Sequence, residues 1–252
     1  MRDVAVAIEG VQRVDRCVLE TVVQPWPFAR DNGAAIDAHW QSSSAANPAM
    51  FNGVIRLVAD ASIEATLGDG PDRTFHATLL RTEFKCYLYW RSLGFPDTGV
   101  RDGFGSALIR SADGHIVLGR QRRGNINAGQ CYLPGGFIDP RDVLANGIVD
   151  IDASIAREVA EETGLGPADL DALPGYLLTF AGPLISIARE HRSRLNAAEL
   201  RARIRAHIAE DPQSELTDAV IVRSPADLVG LDMPSYAQVL LPWLFAKSGN
   251  GQ

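Results

Sequence analysis

Three glutamates near the middle of the chain constrain its fold and its chemistry most strongly. Glu158, Glu161 and Glu162 lie at positions i, i+3 and i+4 of the segment REVAEETGL, so on a helix their side chains converge on one face. Carboxylates this close repel one another unless a cation joins them. A solvated acidic surface is the ordinary alternative, but the ordered pattern around the glutamates favours a metal site.

The surrounding residues support a helix at this place. The segment from about Asp152 to Thr163 has an acidic start, and Gly164 follows it, where a left-handed cap costs glycine little. Gly135 and Gly136 lie upstream, after a short apolar segment. Glycine lets the main chain take a positive φ and approach a metal or phosphate closely, although a simple turn would also explain the pair.

Composition limits the class of protein. The 252 residues are 46% hydrophobic and 22% charged, which is typical of a soluble globular protein with one large domain or two smaller ones. The formal net charge of -7 gives no general attraction for nucleic acid or an anionic membrane. Three scattered cysteines, no export signal and no apolar run long enough for a membrane span favour the cytoplasm.

The first part of the chain is predicted to form a small α+β domain. The predicted strands are residues 4–8, 17–23, 54–59, 62–67 and 75–81, with a helix over 28–46 that ends before Asn47-Pro48 and an aromatic-rich helix over 82–93 that Thr82 could cap. The glycine- and proline-rich segment 94–103 then predicts a connection. We therefore place an N-terminal domain at 1–99 and a second domain at 100–252.

The second part alternates strands and helices. Hairpins are predicted from 105–110 with 115–118 and from 176–181 with 185–188, a strand over 219–223, and helices over 196–208 and 235–247, the last bent by Pro242. This alternation predicts an α/β sandwich with a mixed sheet.

The stretch from Gly136 to Leu165 resembles the signature box of Nudix hydrolases. That box runs Gly, five residues, Glu, seven residues, then Arg-Glu-apolar-x-Glu-Glu-x-Gly-apolar, and its second half matches at every specified position. In the first half Asp142 stands where the family has Glu, and fourteen residues instead of seven separate it from Arg157. The resemblance implies a Nudix-type α/β/α sandwich that uses Mg²⁺ or Mn²⁺ to cleave a P–O–P bond.

The resemblance also implies roles for the box residues. Arg157, Glu158, Glu161 and Glu162 would be catalytic, and the three glutamates with Gly136 would form the metal site. Glu161 or a loop residue could accept the proton of the attacking water. The acidic partner of Arg157 stays open between three aspartates, namely Asp142, Asp150 and Asp152. The seven extra residues are either simple length variation or a lid over the substrate.

Arginines upstream of the box are candidates for phosphate contacts. Arg120, Arg122 and Arg123 are predicted, with Gly135, to bind the substrate, because guanidinium groups bind phosphate bidentately. A surface role in solubility explains the same cluster about equally well.

The N-terminal part supports a narrower resemblance. Several segments are similar to the region that precedes the Nudix domain in UDP-glucose and UDP-galactose pyrophosphatases. They are Trp40 followed by Asn47-Pro48, residues 50–53 and Arg56-Leu57, and TEFKCYLYWRSLG leading through a linker into GFGSALIRSADGHIVLGR. This implies a small-molecule UDP-sugar substrate, with UMP and a sugar 1-phosphate as products. The alternatives are an ADP-ribose or dinucleotide pyrophosphatase, or a Nudix module that binds nucleotides without turnover. We expect a monomer or homodimer.

Overall fold

The computed structural model describes residues 8–67 and 71–249. The strands are β1 (Gly10–Val14), β2 (Arg16–Val22), β3 (Val54–Leu67), β4 (Pro71–Glu83), β5 (Asp102–Arg110), β6 (Ile116–Gln121), β7 (Cys131–Tyr132), β8 (Gly135–Phe137), β9 (Leu170–Ala172), β10 (Tyr176–Ala181), β11 (Leu184–Ser193) and β12 (Leu216–Val222). The helices are α1 (Pro27–Asp31), α2 (Gly33–Ala46), α3 (Phe84–Ser92), α4 (Ile151–Thr163), α5 (Ala197–Glu210) and α6 (Ser235–Gly249).

A nine-stranded mixed sheet forms the centre of the protein. Its main order is β1-β10-β11-β5-β6-β12, with β7 beside β6, β8 beside β5 and β9 beside β11. The pair β5–β11 is parallel, whereas β5–β6 and β10–β11 are antiparallel. The predicted mixed sheet and both predicted hairpins are therefore confirmed.

Helices cover both faces of this sheet. On one face, α4 and α5 bury Ile155 and Ile204, while on the other α6 buries Leu240 and Leu241. Burial of such apolar side chains supplies most of the stabilisation of a fold of this kind. The arrangement is the predicted α/β/α sandwich.

A smaller sheet in the order β2-β4-β3 precedes it in the chain. One of its faces packs on the α4 side of the large sheet, where Leu19 and Phe75 share an apolar cluster with Ile155. Its other face is covered by helices, with Trp26 and Trp90 in edge-to-face contact at 5.5 Å between ring centroids.

Some predicted elements need correction. The two strands predicted at 54–59 and 62–67 are one strand, β3, with an irregularity in register between Val58 and Asp60. Thr82 does not cap α3, whose N-cap residue is Glu83 and makes no side-chain cap bond. The helix predicted over 28–46 is two helices, because the chain leaves helical geometry at Asn32. The strand predicted over 4–8 falls almost wholly outside the described residues.

The N-terminal part also contributes to the large sheet. Strand β1, which the sequence analysis did not predict, pairs antiparallel with β10. The domain boundary near residue 100 stays a prediction, and the described contacts cross it extensively. Among the helices of residues 8–67 and 71–249, none is long and apolar enough to cross a membrane.

The seven-residue box insertion forms its own connection between the two sheets. Val143 bridges to Val149 and closes a small loop. Its Gly147 carbonyl accepts from the backbone and side chain of Thr21 on β2 at 2.9 and 3.0 Å, and the Val149 amide donates to Leu19 at 2.9 Å. The loop is therefore fixed to β2, which disfavours the interpretation as a free lid.

Replacing Ile155 tests the packing between the two sheets and α4. Ile155 is 1% exposed, so Ile155→Ala leaves a cavity and should lower the free energy of unfolding by about 2–5 kcal/mol. Val229→Ala is the control, because Val229 is 84% exposed and should change stability by less than about 0.5 kcal/mol. Urea denaturation measures both, and an equal effect of the two substitutions would contradict the packing described.

Candidate active site

Helix α4 presents the three glutamates as the sequence predicts. Asp150 caps its N-terminus by accepting from the Ala153 amide at 3.0 Å, and Gly164 ends it in the left-handed region at φ 67°. The helix begins at Ile151, one residue before the predicted start. Because both ends are fixed, the face that carries the glutamates has a defined orientation.

Arg157 is held by Asp142, which answers the question of its acidic partner. Its guanidinium donates to both carboxylate oxygens of Asp142 at 2.9 and 3.1 Å. Asp142 is buried and also accepts from Ser154 Oγ at 3.1 Å and from the Asp139 amide at 2.9 Å. Burial alone would lower the pKa of Arg157, but the hydrogen bond to Asp142 and the charge of Glu158 raise it, so the guanidinium stays charged.

The other two candidate partners have different roles. Asp150 is the cap residue of α4. Asp152 lies 2.5 Å from Arg189 and accepts from the Tyr176 hydroxyl at 2.8 Å. Neither aspartate contacts Arg157 within the described part of the chain.

Glu162 is the most deeply buried of the three glutamates. The Tyr132 hydroxyl and the Gly135 amide, the latter at 3.0 Å, both donate to its carboxylate. Burial raises the pKa of Glu162 well above its ordinary value; the Tyr132 hydrogen bond lowers it and the charges of Glu215 and Glu158 raise it. Tyr132 and Gly135 therefore fix the position of Glu162.

Glu158 lies directly against Gly136. A Cβ at position 136 would stand 2.5 Å from a carboxylate oxygen of Glu158, so any side chain larger than hydrogen would displace that carboxylate. Arg157 donates to Glu158 at 2.5 Å. Burial and the charge of Glu161 raise the pKa of Glu158 to about 7, against the lowering effect of Arg157.

Gly135 and Gly136 are required because neighbouring atoms leave no room for a side chain, and not because of a positive φ. Neither Gly135 nor Gly136 is among the residues with positive φ, so that part of the sequence interpretation is wrong. A Cβ at Gly135 would lie 2.2 Å from the Gly105 carbonyl oxygen on β5. The pair is needed because β8 passes so close to β5 and α4.

Glu161 and Glu215 complete a group of four carboxylates. Glu161 is exposed and lies 3.5 Å from Arg141 and 3.6 Å from Arg157. Glu215 comes from the turn before β12, and burial together with the charge of Glu161 raises its pKa. Glu215 is not predictable from the sequence, because a single glutamate in the segment PQSELTD has no spacing relation to the box.

The three predicted phosphate-binding arginines make different contacts. The Arg122 amide donates to the Glu215 carbonyl at 2.7 Å, and its guanidinium donates to the Pro212 carbonyl at 3.2 Å. Arg120 donates to the Gly129 carbonyl at 3.3 Å, and Arg123 is exposed. A role for these three arginines in substrate binding stays a prediction.

The donor set suits a hard divalent cation. Glu158, Glu161, Glu162 and Glu215 offer only oxygen ligands, which Mg²⁺ and Mn²⁺ prefer. Burial raises the pKa values of Glu158 and Glu162 because it disfavours their charged forms, which a bound cation would stabilise. Within the described residues, no three acidic, histidine or cysteine side chains already converge on one point as a formed metal site; their carboxylates are bound instead to Arg157, Tyr132 and Arg141.

A family model decides the assignment. The model of the NUDIX domain matches residues 100–244, which is more than half of the chain. The chain belongs to the NUDIX family. It is a Nudix hydrolase, an enzyme class that cleaves phosphoanhydride bonds of a nucleoside diphosphate linked to another moiety and generally uses divalent metal ions.

Solved structures that resemble this Nudix hydrolase have low sequence identity to it. The MutT protein from Methanosarcina mazei Go1 is 23% identical, with a TM-score of 0.38, over 60% of this chain and 96% of that one. The Nudix hydrolase RenU from M. smegmatis is 14% identical, with a TM-score of 0.40, over 60% of this chain and 88% of that one. A third structure is that of a bifunctional NMN adenylyltransferase/ADP ribose pyrophosphatase from Francisella tularensis, complexed with AMP and a Mn ion. It is 16% identical, with a TM-score of 0.40, over 64% of this chain and 46% of that one.

No curated protein matches the chain.

Replacing Asp142 tests the contact that orients Arg157. Asp142→Asn removes the charge that pairs with a largely buried guanidinium, so the free energy of unfolding should fall by about 3 kcal/mol and metal-dependent activity should fall with it. The control is Asp171→Asn, whose exposed ion pair with Arg194 spans 3.3 Å and should contribute less than about 1 kcal/mol. Similar losses for both variants, measured by urea denaturation, would contradict the assignment.

The pH dependence of stability tests the environment of Glu158. Because the folded pKa of Glu158, about 7, lies above its ordinary value of 4.5, ionisation favours the unfolded chain, and the stability present below pH 4.5 is lost as pH rises towards 7. In metal-free protein, Glu158→Gln should therefore become more stable than the wild type by about 1–3 kcal/mol between these pH values. Added Mg²⁺ should close the difference; a difference that is constant with pH would contradict the assigned environment.

Proposed function

We propose that this Nudix hydrolase is a Mg²⁺- or Mn²⁺-dependent pyrophosphatase of nucleotide sugars, with UDP-glucose or UDP-galactose as substrate and UMP and sugar 1-phosphate as products. The observation that carries the proposal is the chain of contacts from buried Asp142 through Arg157 to Glu158, beside Gly136. It keeps the glutamate face of α4 in a fixed position despite the enlarged box.

The residues of the chain have separable roles in this proposal. Glu158, Glu161 and Glu162 would hold the cation, which neutralises the diphosphate and lowers the pKa of a bound water when it is present. Arg157 orients Glu158, while Tyr132 and the Gly135 amide orient Glu162. Glu161 or Glu215 would accept the proton of the attacking water on a carboxylate oxygen. Water oxygen then joins one phosphorus, and the bond from that phosphorus to the bridging oxygen breaks.

The choice of a UDP-sugar rests on the N-terminal resemblance, and two contacts support it. The ring of Phe137, directly after Gly135-Gly136, lies 4.9 Å from that of Tyr87 on α3, and Arg91 on α3 donates to the Ile126 carbonyl at 2.9 Å. The segment that carries the resemblance therefore borders the glycine turn and the loop after β6. An ADP-ribose or dinucleotide pyrophosphatase is the alternative within the class.

The contact between Asp142 and Arg157 disfavours the alternative of a non-catalytic binding module. That alternative depended on the insertion separating Arg157 from its acidic partner, whereas Asp142 and Arg157 remain in direct contact. Cys17, Cys86 and Cys131 are free thiols, which suits the cytoplasmic location that we propose.

A substrate panel with one site variant tests the proposal. We expect wild-type protein with Mg²⁺ to release UMP and sugar 1-phosphate from UDP-hexoses faster than it cleaves ADP-ribose or dinucleotides, as measured by chromatography of the products. Glu162→Gln should lower kcat by about a hundred-fold or more, since it removes a ligand that acts in the transition state.

The matched control is Glu210→Gln, because Glu210 is an exposed glutamate at the end of α5, and its activity should equal that of the wild type. Retention of metal-dependent turnover by Glu162→Gln would refute the site assignment. Faster cleavage of ADP-ribose than of every UDP-sugar would refute the substrate assignment alone.

A further inference from the structure

Two arginines of the small sheet face each other without a hydrogen-bonded or ion-paired carboxylate in the described part of the chain. Arg56 on β3 and Arg81 on β4 are directly paired in the antiparallel register, so their side chains leave the same face of the sheet. Like charges directly opposite each other on neighbouring strands destabilise a sheet. A pair of this kind therefore needs a compensating interaction.

The protein supplies only part of that compensation, through the charge of Glu83, which acts on Arg81 without an ion pair. Within residues 8–67 and 71–249, neither guanidinium makes a hydrogen bond or an ion pair, and the Arg56 Nε is buried without a partner. Burial and the charge of Arg81 lower the pKa of Arg56. A buried guanidinium nitrogen without a hydrogen-bond acceptor lowers the stability of the fold.

The nearby carboxylates already have partners. Glu83 accepts from Asn52 at 2.9 Å and lies 3.4 Å from Lys85. Asp139 accepts from Arg141 at 2.6 Å. Arg81 is exposed, so an acceptor from outside the chain can reach the Arg56–Arg81 pair.

The pair borders the loop that carries the active-site glycines. The Arg56 amide donates to the Ile138 carbonyl at 2.9 Å, so β3 runs beside the chain two residues after Gly136. Gly136 is the residue against which the Glu158 carboxylate packs. A ligand bound to the two arginines would thus lie beside the segment that follows Gly135 and Gly136.

We propose that Arg56 and Arg81 form a phosphate-binding site. Two adjacent guanidinium groups match the oxygens of a phosphate in geometry and in charge. The phosphate belongs either to the substrate or to a separate phosphate ion, and only the first source rests on the proposed function. In both cases the N-terminal sheet binds an anion next to the box.

A calorimetric titration with inorganic phosphate tests the site without requiring turnover. With divalent ions chelated, wild-type protein should bind inorganic phosphate, and Arg56→Gln and Arg81→Gln should each bind it about ten-fold more weakly or worse. Arg223→Gln is the matched control, since Arg223 is an exposed arginine at the end of β12, and it should bind phosphate as the wild type does.

Thermal denaturation separates lost binding from lost folding. Removing one charge relieves the repulsion between the strands, so the Tm of Arg56→Gln and Arg81→Gln should be unchanged or higher. Unchanged phosphate affinity in both variants, or no phosphate binding by the wild type, would overturn the proposal.

Steady-state kinetics then identify the source of the phosphate. If the substrate supplies it, the KM for the best nucleotide sugar should rise about ten-fold in the variants at constant kcat, and inorganic phosphate should compete with substrate. If a separate ion supplies it, KM should not change, and only the wild type should respond to inorganic phosphate. A wild type that cleaves no nucleotide sugar would refute the proposed function and leave the titration result intact.

Discussion

The ion pair between Asp142 and Arg157 is the contact on which the candidate site depends. It joins the turn after the glycines to helix α4, and breaking a buried pair of this kind leaves an uncompensated charge. Ser154 and the Asp139 amide satisfy the remaining acceptor capacity of Asp142. The glutamates of α4 are therefore held by a hydrogen-bonded network. Binding of one cation by all three requires their carboxylates to turn away from Arg157, Tyr132 and Arg141.

The enlarged box connects this network to the N-terminal sheet. The chain leaves Asp142, pairs with β2 through Gly147 and Val149, and returns to start α4 at Ile151. An insertion in an exposed loop has a small entropic cost, and here its backbone gains partners on β2. As a result, the small sheet, the insertion and the glutamate helix pack around one apolar cluster.

Features encoded by local sequence were predictable, and features that depend on tertiary contacts were not. Helix α4 follows from its acidic start, its glutamate spacing and Gly164, and the chemistry follows from Arg157 and the glutamates. Glu215 has no local signal and joins the group only because β12 pairs with β6. The need for Gly136 was predicted, but its cause is the Glu158 carboxylate and not backbone φ, which only the packing of α4 on β8 reveals.

Hydrolysis in H₂¹⁸O tests the central claim most directly, because it reports which bond breaks at the site that α4 builds. With Mg²⁺ and UDP-glucose, the account predicts ¹⁸O in the phosphate of one of the two products, UMP or glucose 1-phosphate. Mass spectrometry of the separated products measures the label. Release of UDP with ¹⁸O in free glucose would mean cleavage of the C–O bond and would contradict phosphoanhydride hydrolysis by the glutamates of α4.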